Sequence, residues 1–360
     1  GPAAADKPQS LNPIMTRIGG EMSQLFPLIV AKRALTPEET AQIGRNLARL
    51  NDLFKQAKPF IDQRSETYGV SYRFVMDHLA ETQRAFEAKK IEYTRRRLYT
   101  LGAICSSCHT QDRKLRTLFS GSGRDRFDDD FSYAEFNFLT RNYADAASYY
   151  DRYLKSSGHK TELDLVRPLQ RLITIDVQIH NRPAVGAERL TAYRDLADHT
   201  RTTRKYLDGW IAGLRQLDEN GAGDLHNPDF AELQDYVRRI LGPLDRPLAE
   251  LYLPPEEEVA RVWLRGRLYH YLNRHPRAEE VPKILYWLAV CDRTTGYSYY
   301  FSLADLYLKE CIVNHPDHPY ARRCFDEYRE FIDYSYTGSA GTFIPPEVED
   351  ELDRLREVLD

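Results

Sequence analysis

The chain has 360 residues, 42% hydrophobic and 29% charged, the balance of a globular protein with room for two domains. No apolar run reaches the ~18 to 20 residues that span a bilayer, which excludes a membrane-spanning helix. Residues 1–118 carry 19 Lys and Arg against 12 Asp and Glu, a net of +7, and the remainder 31 against 42, a net of −11, together the chain's −4; so acidic a larger part argues against a nucleic-acid partner.

In chain order, the opening GPAAADKPQS is small and polar; GP has the form of a protease scar and AAA that of a signal-peptidase site, which predicts export. Four helices follow over residues 10–118. The first carries the stripe Ile14, Ile18, Met22, Leu25 and Phe26, weakened by Gly19, Gly20 and Pro27. The second starts at TPEE, with Thr36 as N-cap, Pro37 at the first helical position and Glu39 completing a capping box. A third spans SYRFVMDHLAETQRAFEAKK, with Phe74, Val75, Leu79 and Phe86 inward, and the fourth carries LGAICSSCHTQDR near its C-terminal end. Connections are short except at residues 57–67. Four such helices in sequence predict an up-down-up-down bundle.

SGSGRDRFDDD then predicts a linker over 119–131, because Gly, Ser and charge leave Phe127 as the one apolar residue. From 132 to 335 the texture is that of helical hairpins. AEFNFLTRNYADAASYYDRYLKS sets bulky aromatics on one helix against small Ala146 and Ala147 on its partner, the tetratricopeptide logic. Two further hairpins are VARVWLRGRLYHYLNR with VPKILYWLAVCDR, and LADLYLKEC with RRCFDEYREF; residues 160–255 lack a readable period. Residues 336–360 read as a tail with a short helix. The expected fold class is therefore all-α: an N-terminal four-helix bundle and a C-terminal α-α repeat domain.

The chemistry is concentrated in Cys105, Cys108 and His109. Cys-x-x-Cys-His supplies two thiols spaced for the two vinyl groups of haem and an imidazole placed to ligate its iron. A thioredoxin-like pair expects a preceding strand, and a zinc site expects a second ligand pair, which residues 1–130 do not contain. One covalent haem c is the expected cofactor, with His109 as the proximal iron ligand. Arg95, Arg96 and Arg97 read as a solvated helix face.

A helix-borne Cys-x-x-Cys-His at the end of some 110 residues of bundle resembles the cytochrome c-prime family, over less than a third of the chain. The resemblance implies a haem inside the bundle. The first-helix segment IMTRIGGEM is similar to that of the family's low-spin members, which implies Met15 as the distal ligand. Met22, seven residues on, is the substitute, and His78 on the third helix is a rival axial ligand. Arg113 stands where members carry a basic residue that can meet a haem propionate.

No metalloprotease, nucleophile-elbow or phosphate-loop motif is present, and no enzyme activity is expected. The expected function is periplasmic electron transfer, with the repeat domain docking a redox partner protein; alternatives are a gas-binding sensor of NO or CO, and a scaffold with a structural haem domain. The sequence leaves homo-oligomerisation open. Of the remaining cysteines, Cys311 and Cys324 are equidistant from the turn at Pro316 and Pro319 and are expected to form a disulfide, while Cys291 is expected to be a buried thiol.

Overall fold

The computed structural model describes residues 10–62, 66–108, 123–158, 160–196, 198–242, 253–295, 299–300, 302–339 and 341–360. Among these residues the protein is all-α: fifteen helices and one two-stranded ladder. The chain divides between residues 157 and 158 into two compact units.

The first unit opens with α1 (Leu11–Val30), α2 (Pro37–Ile61), α3 (Glu66–Glu87) and α4 (Ile91–Cys108). Each packs on the next, and α4 returns to pack on α1. The expected stripe on α1 is buried in full: Ile14, Ile18, Met22, Leu25 and Phe26. Ile43, Leu47 and Leu50 of α2, Leu79 of α3, and Leu98, Leu101 and Ile104 of α4 are buried as well. The start of α2 is as read from TPEE: Thr36 Oγ1 accepts from Glu39 N–H at 3.2 Å, and Glu39 Oε2 accepts from Thr36 N–H at 2.8 Å. Such a box is worth about 1 kcal/mol because it satisfies donors the first turn leaves open. The long connection expected at 57–67 is mostly helix, since α2 continues through Pro59 to Ile61 and α3 begins at Glu66.

The hairpin expected to open the repeat domain groups instead with these four helices. It consists of α5 (Asp130–Leu139) and α6 (Tyr143–Lys155). Within the expected linker, residues 119–122 lie outside the described residues, and the rest is ordered by packing. Phe127, the one apolar side chain of SGSGRDRFDDD, is buried with its ring centroid 5.0 Å from that of Phe136. Asp129 is the N-cap of α5, its Oδ1 accepting from Ser132 N–H at 2.7 Å, so the acidic run starts a helix. Phe26 meets Phe136 edge-on at 5.1 Å, Lys32 lies 4.2 Å over the Phe131 ring, and Lys32 Nζ donates to Tyr153 OH at 2.7 Å. These contacts seat the hairpin on the C-terminal half of α1.

The second unit contains α7 (Glu162–Ile173), running into a π-helical turn at Thr174–Ile179, then α8 (Pro183–Leu196), α9 (Arg201–Glu219), α10 (Phe230–Leu241), α11 (Pro255–Arg274), α12 (Val281–Thr294), α13 (Ala304–Asn314), α14 (Pro319–Ser335) and α15 (Pro346–Leu359). A two-residue ladder, β1 (Thr337–Gly338) with β2 (Gly341–Thr342), precedes α15. From α11 onward each helix packs on its successor. Where α11 crosses the π-helical turn the residue is Gly266: a Cβ there would lie 2.6 Å from the Gln178 carbonyl oxygen, so only glycine permits the approach.

Cys311 on α13 and Cys324 on α14 form a disulfide, their Cα atoms 6.4 Å apart, and Cys291 is buried as a thiol. Closing a loop of this length is worth about 3 kcal/mol in the chain-entropy model. Reduction, or the Cys311→Ser/Cys324→Ser variant, is expected to lower the stability of this unit by about that amount; chemical denaturation with and without reductant measures it. The segment expected as a tail is packed: Leu352 and Leu355 of α15 are buried, and Lys309 Nζ meets Glu351 Oε1 at 2.5 Å. Its sequence reads as polar because only one narrow apolar stripe is needed to close the unit.

Candidate haem site at the end of the fourth helix

The Cys-x-x-Cys segment lies in the last turn of α4, which ends at Cys108. Cys105 is part-exposed, unlike the sealed Cys291. The Cys108 side chain lies outside what is described, and His109 and Arg113 lie outside the described residues.

The pairing of α4 with α1 is set from its other end. Arg95 is buried, 4% exposed; its Nε donates to Leu28 O at 3.1 Å, its Nη1 to Arg33 O at 3.1 Å, and its Nη2 to Ala31 O. The last carbonyls of α1 have no partner within the helix and carry partial negative charge, so a guanidinium there satisfies both. The expectation of a solvated arginine face therefore holds for exposed Arg96 and fails for Arg95. It fails for Arg97 as well, which is largely covered by α3. Two turns on, Gly102 lets the helices close: a Cβ at that position would lie 3.0 Å from Phe26 Cε1 and 3.7 Å from Met22 Cε.

This antiparallel pairing, 28 with 95 and 22 with 102, separates the two methionines. Met22 is 1% exposed and packs against Gly102, a core position before the motif. Continued in the same direction, the end of α4 runs toward the first turns of α1, where Met15 is part-exposed. Seven residues of helix put Met15 roughly 10 Å from Met22 along the axis. One side chain within the motif has an open valence: Ser106 is buried and its Oγ has no hydrogen-bond partner.

His78 is engaged elsewhere. Its Nε2 donates to Arg97 O at 2.7 Å and its Nδ1 accepts from Arg97 Nη2 at 2.9 Å, which makes the ring neutral and occupies both nitrogens. Burial, helped by the Arg97 charge, pushes its pKa down to about 4. The unfolded chain thus binds a proton below about pH 6.5 that the folded chain refuses until about pH 4. Stability from this contact is complete above pH 6.5 and falls as pH drops through that window, by at most about 3 kcal/mol. Comparing wild type with His78→Gln by circular dichroism during urea unfolding at pH 7 and pH 4.5 measures it. The wild-type advantage should shrink at the lower pH. Arg97 also pairs with Glu81 at 3.1 Å.

The sequence reading did not identify a buried carboxylate near this region. Glu135 of α5 is 1% exposed and accepts from the hydroxyls of Tyr99 on α4 and Tyr150 on α6. It ties the hairpin to the helix that carries the motif. An acidic residue among the aromatics of AEFNFL was the available signal.

Among the described residues, no group of three or more His, Cys, Asp or Glu side chains could hold a metal ion. No protein-family model, no curated protein and no solved structure matches the chain.

Proposed function

We propose that the protein is a single-haem c-type cytochrome for electron transfer, whose first four helices form a cytochrome c-prime-like bundle and whose helical hairpins dock a redox partner protein. The observation that carries this reading is the Cys-x-x-Cys-His sequence at the end of α4. The described residues fit the group: a part-exposed thiol can be reached by a haem vinyl, and the open Ser106 hydroxyl stands inside the motif. Cys105 and Cys108 would hold the porphyrin, His109 and Met15 the iron, and Arg113 a propionate. Bound there, haem supplies one-electron chemistry, and methionine ligation raises its potential relative to two histidines. The chain's own part is to orient the ligands and to keep water from the buried face.

Assembly of a covalent haem requires export, and the Cys311–Cys324 disulfide is consistent with an oxidising compartment. A gas-binding reading differs at one point: the part-exposed Met15 would yield to NO or CO. The test is production in a host that matures c-type cytochromes, followed by denaturing mass spectrometry and a spectrum of the reduced protein with and without CO. A haem mass retained through acid-acetone extraction supports attachment, and its loss ends the proposal. An unchanged spectrum under CO supports electron transfer; a shifted one supports the sensor.

A further inference from the structure

In the second unit, α9, α10 and the start of α11 border a half-open cavity of about 790 Å³. That volume lies in the range of small-molecule sites, roughly 300–1,000 Å³. Leu217, Tyr236, Ile240 and Ala260 give it apolar walls. Two glycines of α9 bring its frame together: a Cβ on Gly213 would lie 2.8 Å from Glu256 O, and one on Gly209 2.9 Å from Pro255 Cβ.

Arg261 lines this cavity and is 5% exposed. Its Nε–H and Nη1–H are buried and have no hydrogen-bond partner. Among the other buried arginines, Arg95 is held by carbonyls at the end of α1, Arg265 by Asp292, and Arg267 in part by the carbonyls of Leu225 and His226. A desolvated guanidinium with donors unmatched costs several kcal/mol in general, so its persistence beside a half-open cavity points to an acceptor that comes from outside the fold.

We infer that this cavity binds a small monoanionic organic acid, with its carboxylate and a second neutral acceptor on Arg261 and its apolar body against Leu217, Tyr236 and Ile240. Two acceptors are needed because Nε–H and Nη1–H lie on different edges of the guanidinium plane. Glu256 and Glu257, exposed on the same lining, disfavour ligands of higher negative charge such as phosphate esters. The site lies apart in sequence from the haem motif and does not depend on haem.

The probe is 3-phenyllactate, which carries a carboxylate, a 2-hydroxyl and an apolar ring; 3-phenylpropanol lacks the charge, and inorganic phosphate lacks the apolar body. Titration calorimetry on the full chain should show one site for phenyllactate and none for the other two. Arg261→Met should weaken binding by roughly 10- to 100-fold, the worth of a charge-assisted hydrogen bond, while keeping or raising the melting temperature. Ala260→Phe, which fills the cavity and keeps the arginine, should also abolish binding and decides the matter if Arg261→Met does not fold. No phenyllactate binding, equal binding of phenylpropanol or phosphate, or binding unchanged in the folded variants would overturn the inference.

Discussion

Met15→Ala is expected to convert the haem-loaded protein from a low-spin to a high-spin spectrum, to open the iron to CO and to lower the reduction potential. Met22→Ala is expected to leave the spectrum unchanged and to destabilise the first unit by about 2–5 kcal/mol, the cost of a truncated core side chain. The contrast follows from the pairing of α1 with α4. Met22 lies against Gly102, sealed at 1% exposure, and its thioether fills the space beside Phe26. Met15 lies two turns nearer the start of α1 and is part-exposed, so alanine there removes little packing. A spectrum altered by Met22→Ala and untouched by Met15→Ala would mean that the pairing shifts by two turns in the haem-loaded protein, and the distal assignment would fall. No spectral change in either variant would leave the iron without a methionine, and the gas-binding reading would replace electron transfer.

What could be read from the sequence was whatever depends on near neighbours in the chain. The capping box at Thr36 joins residues three apart, the stripe on α1 repeats every turn, and the Cys311–Cys324 pair is fixed by one turn between two helices. The Cys-x-x-Cys-His motif is itself local, five consecutive residues. What escaped the sequence reading depends on partners far away. Arg95 meets Leu28 O across 67 positions, so three arginines in a row read as solvent-facing when the first clamps another helix. Phe127 looked like a stray apolar residue in a polar linker because its partners, Phe136 and Tyr133, belong to the next helix. That misreading moved the expected domain boundary to 119–131, whereas the chain divides after residue 157. Arg261 could not be singled out at all, since the sequence cannot distinguish an arginine that finds an acceptor from one that does not.

The largest stability effect in the second unit is expected at the ion pair of Arg265 on α11 with Asp292 on α12. Nε lies 2.5 Å from Oδ1, and the side chains are 7% and 0% exposed. Oδ2 accepts from Leu303 N–H at 2.7 Å, and the guanidinium lies 3.8 Å over the Tyr300 ring. Asp292→Ala leaves an arginine buried without its countercharge and the Leu303 N–H without an acceptor, and is expected to cost about 3–5 kcal/mol. Arg265→Met should cost less, because the two partners respond differently to losing one another. Burial pulls the Arg265 pKa down, yet the Asp292 carboxylate drives it above the usual arginine value, and an arginine stranded there still cannot shed its proton. Burial pushes the Asp292 carboxyl up against the pull of Arg265, and with Arg265 gone it can take up a proton and become neutral. In Arg265→Met the folded state then binds a proton more readily than the unfolded one, so its stability falls as pH rises through the interval between the two pKa values. The deficit of Arg265→Met relative to wild type is therefore expected to shrink from pH 7 to pH 5, and that of Asp292→Ala is not. All three tryptophans, Trp210, Trp263 and Trp287, lie in this unit, so their fluorescence during urea unfolding reports on it alone. Equal deficits for the two variants at both pH values would show that loss of packing, and not stranded charge, sets the cost.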